Sequence, residues 1–428
     1  MKKRYLMLAL IVLICGMSIV SASENISVPD DTSGIDGGYA LSENVSDVSD
    51  NVNEAANVSD SAADDNNATV GEENNTAINN TANTTVVKND TSTDSKPVKP
   101  VAVAKAKKVV TAGDIKVVYG NKAKYTVKVF DKSGKPIANK PVTITIGKKT
   151  YTKNTAASGV ATFTLNFSAG NYVIKYSVDK LTGSNKFVVK NKITLTVLKW
   201  GLKGDVSKIK LIKDNMPDNA VVKKAVEVTK KGIPLLMFKG GPGKVVFMTA
   251  GVHGNELSSQ VAAMKMIAYL SKTPVKGTIY IIPFVNLKAI SKKVRYTDKD
   301  FNRIADKSGT IPNKIVKLVV KYKCDAYGDF HTTKPGGVPG KNIVMGSKGP
   351  ATKSADLTKY IAKNTKVSKK IYNYAGEVYP GALSDNVNNY GIPAVICEVA
   401  LPHNTVTKKT VTLSYNMMKY FLKFSSVI

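Results

Sequence analysis

The sequence predicts a multidomain chain: an all-β sandwich followed by an α/β domain with a mostly parallel, mixed sheet. Three observations carry this. Between residues 109 and 194, short segments alternate polar and apolar residues and are broken by turn signals. From 195 to 428, short apolar runs alternate with helix-period segments, the pattern of a sheet covered on both faces. Ahead of both, residues 24–95 hold fifteen Asp or Glu, one Lys (Lys88) and almost no aromatic residue. That composition buries too little apolar area to offset its ordering entropy, so an extended, disordered stalk is expected.

In chain order, residues 1–22 read as a signal segment. Lys2, Lys3 and Arg4 precede an apolar run from Leu6 to Val20, and Val20-Ser-Ala22 offers small residues for cleavage. The run is short for a membrane span, which needs about 20 apolar residues, although an uncleaved anchor is the alternative. The stalk and a basic linker occupy 23–108. Eight Asn-x-Ser/Thr sequons, from Asn25 to Asn89, are candidate glycosylation sites in an exported chain.

In 109–194, Lys124–Phe130, Val142–Ile146, Val160–Leu165 and Tyr172–Val178 alternate as half-buried strands, with Asp131-Lys-Ser-Gly-Lys-Pro136 as a turn. The pattern resembles the bacterial-type Ig-like modules of surface proteins. No catalytic constellation is visible in it, and a spacer is the expected role.

In 195–428, helices are expected at Val221–Lys231, Leu257–Leu270, Asn313–Lys323, Lys353–Lys363 and Thr407–Phe424. Strands are expected at Pro234–Phe238, Val245–Ala250, Thr278–Phe284, Asp325–His331 and Ala394–Glu398. The central stretch is VVFMTAGVHGNE, Val245 to Glu256. His253 and Glu256 stand just past a buried strand's C-terminal end, where open α/β sheets bind ligands. An imidazole and a carboxylate at i and i+3 can face one ion, and a second imidazole completes a common zinc donor set. His331 ends another strand-like run, Glu398 a third, and Asp300-Phe-Asn-Arg303 lies between.

HGNE, DFNR, DFHTT and the glutamate of CEVALP occur in the order found in the zinc carboxypeptidase superfamily. The chain from about 195 onward resembles its succinylglutamate desuccinylase/aspartoacylase branch. The resemblance implies that His253, Glu256 and His331 hold one Zn²⁺ and that Glu398 is the general base. It implies that Asn302 and Arg303 bind a substrate carboxylate, that Asp300 orients His253, and that Arg295 acts on the oxyanion or the substrate. Tyr379 and Tyr390 both fall where carboxypeptidases place a mobile tyrosine, and the spacing does not choose between them. The loop Lys334–Gly340 is expected to shape the pocket. His403 matches no family position and reads as structural.

The chain has 62 basic and 32 acidic residues, a formal charge of +30. Setting aside three basic residues in the signal, and fifteen acids and Lys88 in the stalk, leaves 58 against 17. Arginine is scarce, no nucleic-acid motif appears and the chain looks exported, so an acidic polymer or peptide of the cell envelope is the expected partner rather than nucleic acid. Cys324 and Cys397 sit in or beside core strands; buried thiols are the reading preferred over one disulfide. The function expected is a secreted hydrolase of an amide bond next to a carboxylate. The alternatives are a deacylase of small N-acyl amino acids and an adhesin with a non-catalytic domain.

Overall fold

The computed structural model describes residues 42–44 and 103–428. The signal segment and the sequons outside 42–44 lie outside the described residues. The first strand, β1 (Ser42–Asn44), belongs to the large sheet described below.

Eight strands build the sandwich: β2 (Lys108–Thr111), β3 (Ile115–Val118), β4 (Ala123–Phe130), β5 (Pro141–Ile146), β6 (Lys149–Asn154), β7 (Val160–Leu165), β8 (Gly170–Val178) and β9 (Leu181–Lys190). They form a three-stranded sheet, β2-β4-β7, and a five-stranded sheet, β3-β9-β8-β5-β6. The alternation does the work. Tyr125, Val127 and Val129 of β4 point inward with Val142, Ile144 and Ile146 of β5 and Phe163 and Leu165 of β7, and all are buried.

The α/β domain begins at β10 (Lys192–Leu198), one residue after β9 ends, so this strand straddles the boundary expected at 194. Then follow α1 (Lys210–Asp214), α2 (Ala220–Glu227), β11 (Ile233–Lys239), β12 (Val245–Ala250), α3 (Leu257–Lys272), β13 (Thr278–Ile282) and α4 (Leu287–Lys292). The rest are α5 (Ile311–Lys321), β14 (Ala326–Thr333), β15 (Ile343–Gly349), α6 (Lys353–Thr365), β16 (Ser368–Tyr374), α7 (Leu383–Asn389), β17 (Ala394–Ala400) and α8 (Lys408–Phe424). The nine-stranded sheet runs β1-β10-β11-β13-β12-β14-β17-β15-β16. Its pairings are parallel except β10–β11, β11–β13 and β15–β17, so the sheet is mixed as expected.

Sequence reading passed over β2, β3, β6 and β9 in the sandwich, and β10, β15, β16, α1, α4 and α7 beyond it. It also placed 42–44 in a structureless stalk, whereas β1 pairs in parallel with Thr194–Thr196. The free edge of β10 offers the unpaired backbone groups that draw in such a strand. Among the described residues no helix is long and apolar enough to cross a membrane.

What positions the site is the parallel trio β12, β14 and β17 at the sheet's centre. In the ladder Ala250 faces Phe330, and His331 faces Glu398. All three strands therefore deliver their C-terminal ends to the same edge. Val246, Phe247 and Met248 of β12 and Tyr327 and Phe330 of β14 are buried on both faces, which anchors those ends.

Candidate metal centre and active site

β12 ends at Gly251, whose φ of 74° turns the chain back over the sheet edge. The turn that follows carries His253 and Glu256, and α3 starts directly after. His253 and Glu256 are each 2% exposed and His331 1%. His253 Nδ1 lies 2.7 Å from Glu256 Oε1, and His331 Nδ1 2.8 Å from Glu256 Oε2. One donor atom from each of the three residues falls within 4.8 Å of the others.

Residues 242–336 match the succinylglutamate desuccinylase/aspartoacylase catalytic domain. The matched stretch holds His253, Glu256, Arg295, Asp300 and His331 and stops short of Glu398. A macroglobulin domain, MG4, matches residues 124–182 inside the sandwich. No curated protein matches the chain. Among solved structures, product-bound EutE (DoeB), the ectoine utilization protein of Ruegeria pomeroyi, is 16% identical over 46% of this chain and 61% of its own, with a TM-score of 0.39. An aspartoacylase family protein of Mesorhizobium loti is 19% identical over 46% and 62%, with a TM-score of 0.38. Tripeptide-bound Csd4, a cell shape determinant of Helicobacter pylori, is 13% identical over 50% and 54%, with a TM-score of 0.36. This chain thus spans about three fifths or less of the length of each.

The donor set fits one zinc ion, and the surroundings support the fit. Each histidine presents Nδ1 to the shared carboxylate and has a second carboxylate close to its Nε2. Asp300 Oδ1 lies 2.9 Å from Nε2 of His253, and Asp329 Oδ2 lies 2.9 Å from Nε2 of His331. A carboxylate behind a ligating imidazole fixes its tautomer and raises its basicity. Counting Glu398, four carboxylates crowd two imidazoles and Arg295, an excess of negative charge that a divalent cation would balance.

The protonation preferences follow from the same crowding. Burial alone would lower both imidazoles. Glu256 and Asp300 outweigh it at His253 and raise it, and Asp329 and Glu256 raise His331 well above its usual value. Burial alone would raise Glu256, but the two histidines hold it well below the usual carboxylate range. Glu398 behaves in the opposite way: burial pushes it up to about 8 against the partial pull of His331. Its Oε2 is shut off from solvent and has no hydrogen-bond partner.

A cavity of about 350 Å³ opens on this cluster, lined by Glu256, Arg295, Lys334, Val338, Glu398 and His403 among others. Arg295 Nη1 donates to Glu256 Oε1 at 3.2 Å, and its Nε donates to Asp300 Oδ2 at 3.4 Å. The glycine-rich loop is tied down where Gly340 N donates to Thr333 Oγ1 at 3.0 Å, which leaves Val338 84% exposed at the lip.

Asn302 and Arg303 do not line this cavity. Asn302 Oδ1 accepts the Leu383 N–H at 2.9 Å, and the Arg303 guanidinium lies over the Tyr379 ring, 5.2 Å from its centroid, while donating to Asn302 O. The cations on the cavity wall are Arg295 and Lys334. Tyr379 is thus engaged with Arg303, and Tyr390 is 61% exposed at the end of α7, so neither lines the cavity. Cys324 and Cys397 are free and buried, which removes the disulfide alternative. Burial pushes Cys324 up to about 12 and Cys397 well above the usual thiol range, so neither is a nucleophile.

Sequence reasoning undervalued Asp329 and His403. Asp329 stands two residues before His331, hence on the same side of β14, a signal that strand period could have supplied. Asp329 is itself held, because Thr249 Oγ1 donates to its Oδ1 at 2.7 Å. His403 lines the cavity, with burial lowering its pKa, and no local pattern near it announces this.

Proposed function

We propose that this chain is a zinc-dependent hydrolase of an amide bond lying next to a carboxylate, acting outside the cell on a peptide or N-acyl substrate of the envelope. The observation that carries the reading is the convergence of His253, Glu256 and His331 on one point, with Glu398 and Arg295 on the wall of the same cavity. The match to a catalytic domain over 242–336 supports it.

His253, Glu256 and His331 would hold the ion. When bound, zinc lowers the pKa of a water molecule toward ~7 and polarises a carbonyl. Glu398, on the cavity wall, takes the proton from the attacking water, and later hands it to the amine as the C–N bond breaks. Asp300 and Asp329 hold the imidazoles in place throughout. Arg295 and Lys334 supply the positive charge that a carboxylate beside the scissile bond would meet. Asn302 and Arg303, which the resemblance implies for that role, are not part of this cavity's lining. Export and an envelope substrate rest on the signal-like first 22 residues and the lysine-rich folded domains.

The test is metal analysis of the full chain, followed by product analysis on envelope fragments. One zinc per chain and new amine and carboxylate ends are expected. Glu398→Gln should keep the zinc and lose roughly 10²- to 10⁴-fold in rate. Absence of stoichiometric zinc would sink the proposal. Turnover of small N-acyl amino acids with no turnover of peptides would move it to the deacylase reading.

A further inference from the structure

We propose that His403 is a positioning residue of the metal centre, holding the turn that carries His253 and the strand end that carries His331 at the spacing an ion requires. The inference rests on the zinc reading above and deepens it. The His403 ring spans the gap between that turn and β14. Asn255 Nδ2 donates to Nδ1 at 3.2 Å, and Nε2 donates to Thr332 O at 3.2 Å. Asn255 immediately precedes Glu256, and Thr332 immediately follows His331. A carbonyl only accepts, so Nε2 carries the proton and Nδ1 is left to accept from the amide; both ring nitrogens are then matched.

The residues around His403 repeat the tie. Leu401 N donates to Thr333 O at 2.9 Å, Asn404 N to Asn255 O at 2.8 Å, and Asn404 Nδ2 to Lys293 O at 2.9 Å. Lys293 lies two residues before Arg295, and Gly254 N donates to Arg295 O at 3.0 Å. One short run, leaving β17 just after Glu398, therefore laces together the elements that carry His253, Glu256, His331 and Arg295. Glu256 crosses the same gap through His331 Nδ1 and Thr332 N, but its carboxylate is the group an ion would draw on. His403 holds the gap without using any ligand atom.

Glutamine can copy both bonds, accepting with Oε1 and donating with Nε2, whereas leucine fills similar space and makes neither. The experiment measures the zinc dissociation constant of the full-length chain by chelator competition, and the melting temperature of the metal-free chain. It is run for wild type, His403→Gln, His403→Leu and Asn255→Ala. His403→Leu should weaken zinc by about ten- to a hundredfold, the usual cost of losing a group that orients metal ligands. His403→Gln should stay near wild type. Asn255→Ala should weaken zinc as His403→Leu does, and combining them should add nothing, because they break one bridge.

A bridge that only supports the fold would lower the metal-free melting temperature and leave zinc affinity unchanged. That result, or a glutamine variant as weak as the leucine one, would overturn the inference. If His403→Leu does not fold, Asn255→Ala decides alone, and an unchanged zinc affinity there overturns it. A wild-type chain that takes up no zinc overturns the zinc reading itself, and with it this inference. Wild-type uptake with equal uptake by the variants overturns only the role of His403.

Discussion

Two glutamates of one cavity differ because their neighbours differ. Glu256 lies between two imidazoles that stabilise its charge; Glu398 lies on the cavity wall with Oε2 buried and unpartnered. One is thereby suited to hold a cation and the other to hold a proton. Burial pushes Glu398 up to about 8, and a divalent cation nearby would lower it. Since the base must be ionised, kcat/KM should rise with pH along a limb whose midpoint lies below about 8. Glu398→Gln should abolish that limb; a pH–rate profile on the zinc-loaded chain checks it. Asp385 offers a stability counterpart. Burial raises it to about 6, against the pull of the Gly376 N–H and Arg303. Between its usual 3.8 and about 6 the folded chain holds a proton that the unfolded chain has lost, so stability falls as pH rises through that window. Asp385→Asn should flatten this part of a plot of urea midpoint against pH. A slope unchanged by the substitution would refute it.

At the level of elements, the site joins one turn, His253–Glu256, to the ends of two strands, β14 and β17. Gly254 shows how closely that turn is packed: a Cβ there would stand 2.2 Å from the Ala289 carbonyl carbon and 2.4 Å from Ile290 N, both backbone atoms of α4. Gly254→Ala must push the His253–Glu256 turn off α4. It should cost about 1–3 kcal/mol, as overpacking does, and weaken zinc as well. Thermal melting with and without metal reads both effects; wild-type values for the two would refute the close approach. The strands that carry donors were legible because each is a short apolar run ending in a chemically distinctive residue. β12 was placed at Val245–Ala250 and found there. β15 and β16 were missed. β16 is a polar edge strand, Ser368-Lys-Lys-Ile-Tyr-Asn-Tyr374, with no apolar alternation to betray it. α4 and α7 are short, and the Asn286 cap in α4 and packing in α7, rather than a long amphipathic stripe, define them.

For the whole molecule, the sandwich and the α/β domain are joined more tightly than a linker would join them. β9 passes into β10 with only Asn191 between, and that side chain is buried in the junction. Asn191 Nδ2 donates to Leu270 O at 2.9 Å and Thr273 O at 2.8 Å, while Oδ1 accepts from Val275 N at 3.0 Å. Ala169 N donates to Gly240 O at 2.6 Å across the same seam. Asn191→Ala would strand three buried backbone groups, each costing about 1–3 kcal/mol when unsatisfied. Calorimetry should show a single transition in wild type separating into two in the variant; no separation and no loss of stability would refute the clamp.

Local pattern determined a great deal: the two folded regions, the strands β12, β14 and β17, and His253, Glu256, His331 and Glu398 as candidates at or just past strand ends, whose roles the resemblance supplied. It could do so because alternation, apolar runs and the residues at a strand's end are properties of neighbours in the chain. Tertiary structure decided what completes the site. It brought Arg295 and Lys334 to the cavity wall, left Asn302 and Arg303 out of its lining, set Asp329 beside His331, and gave His403 a place between β14 and the His253–Glu256 turn, 71 and 148 residues away. Such contacts join residues far apart in sequence, and their bonds depend on how the sheet edge folds over, which no local spacing records.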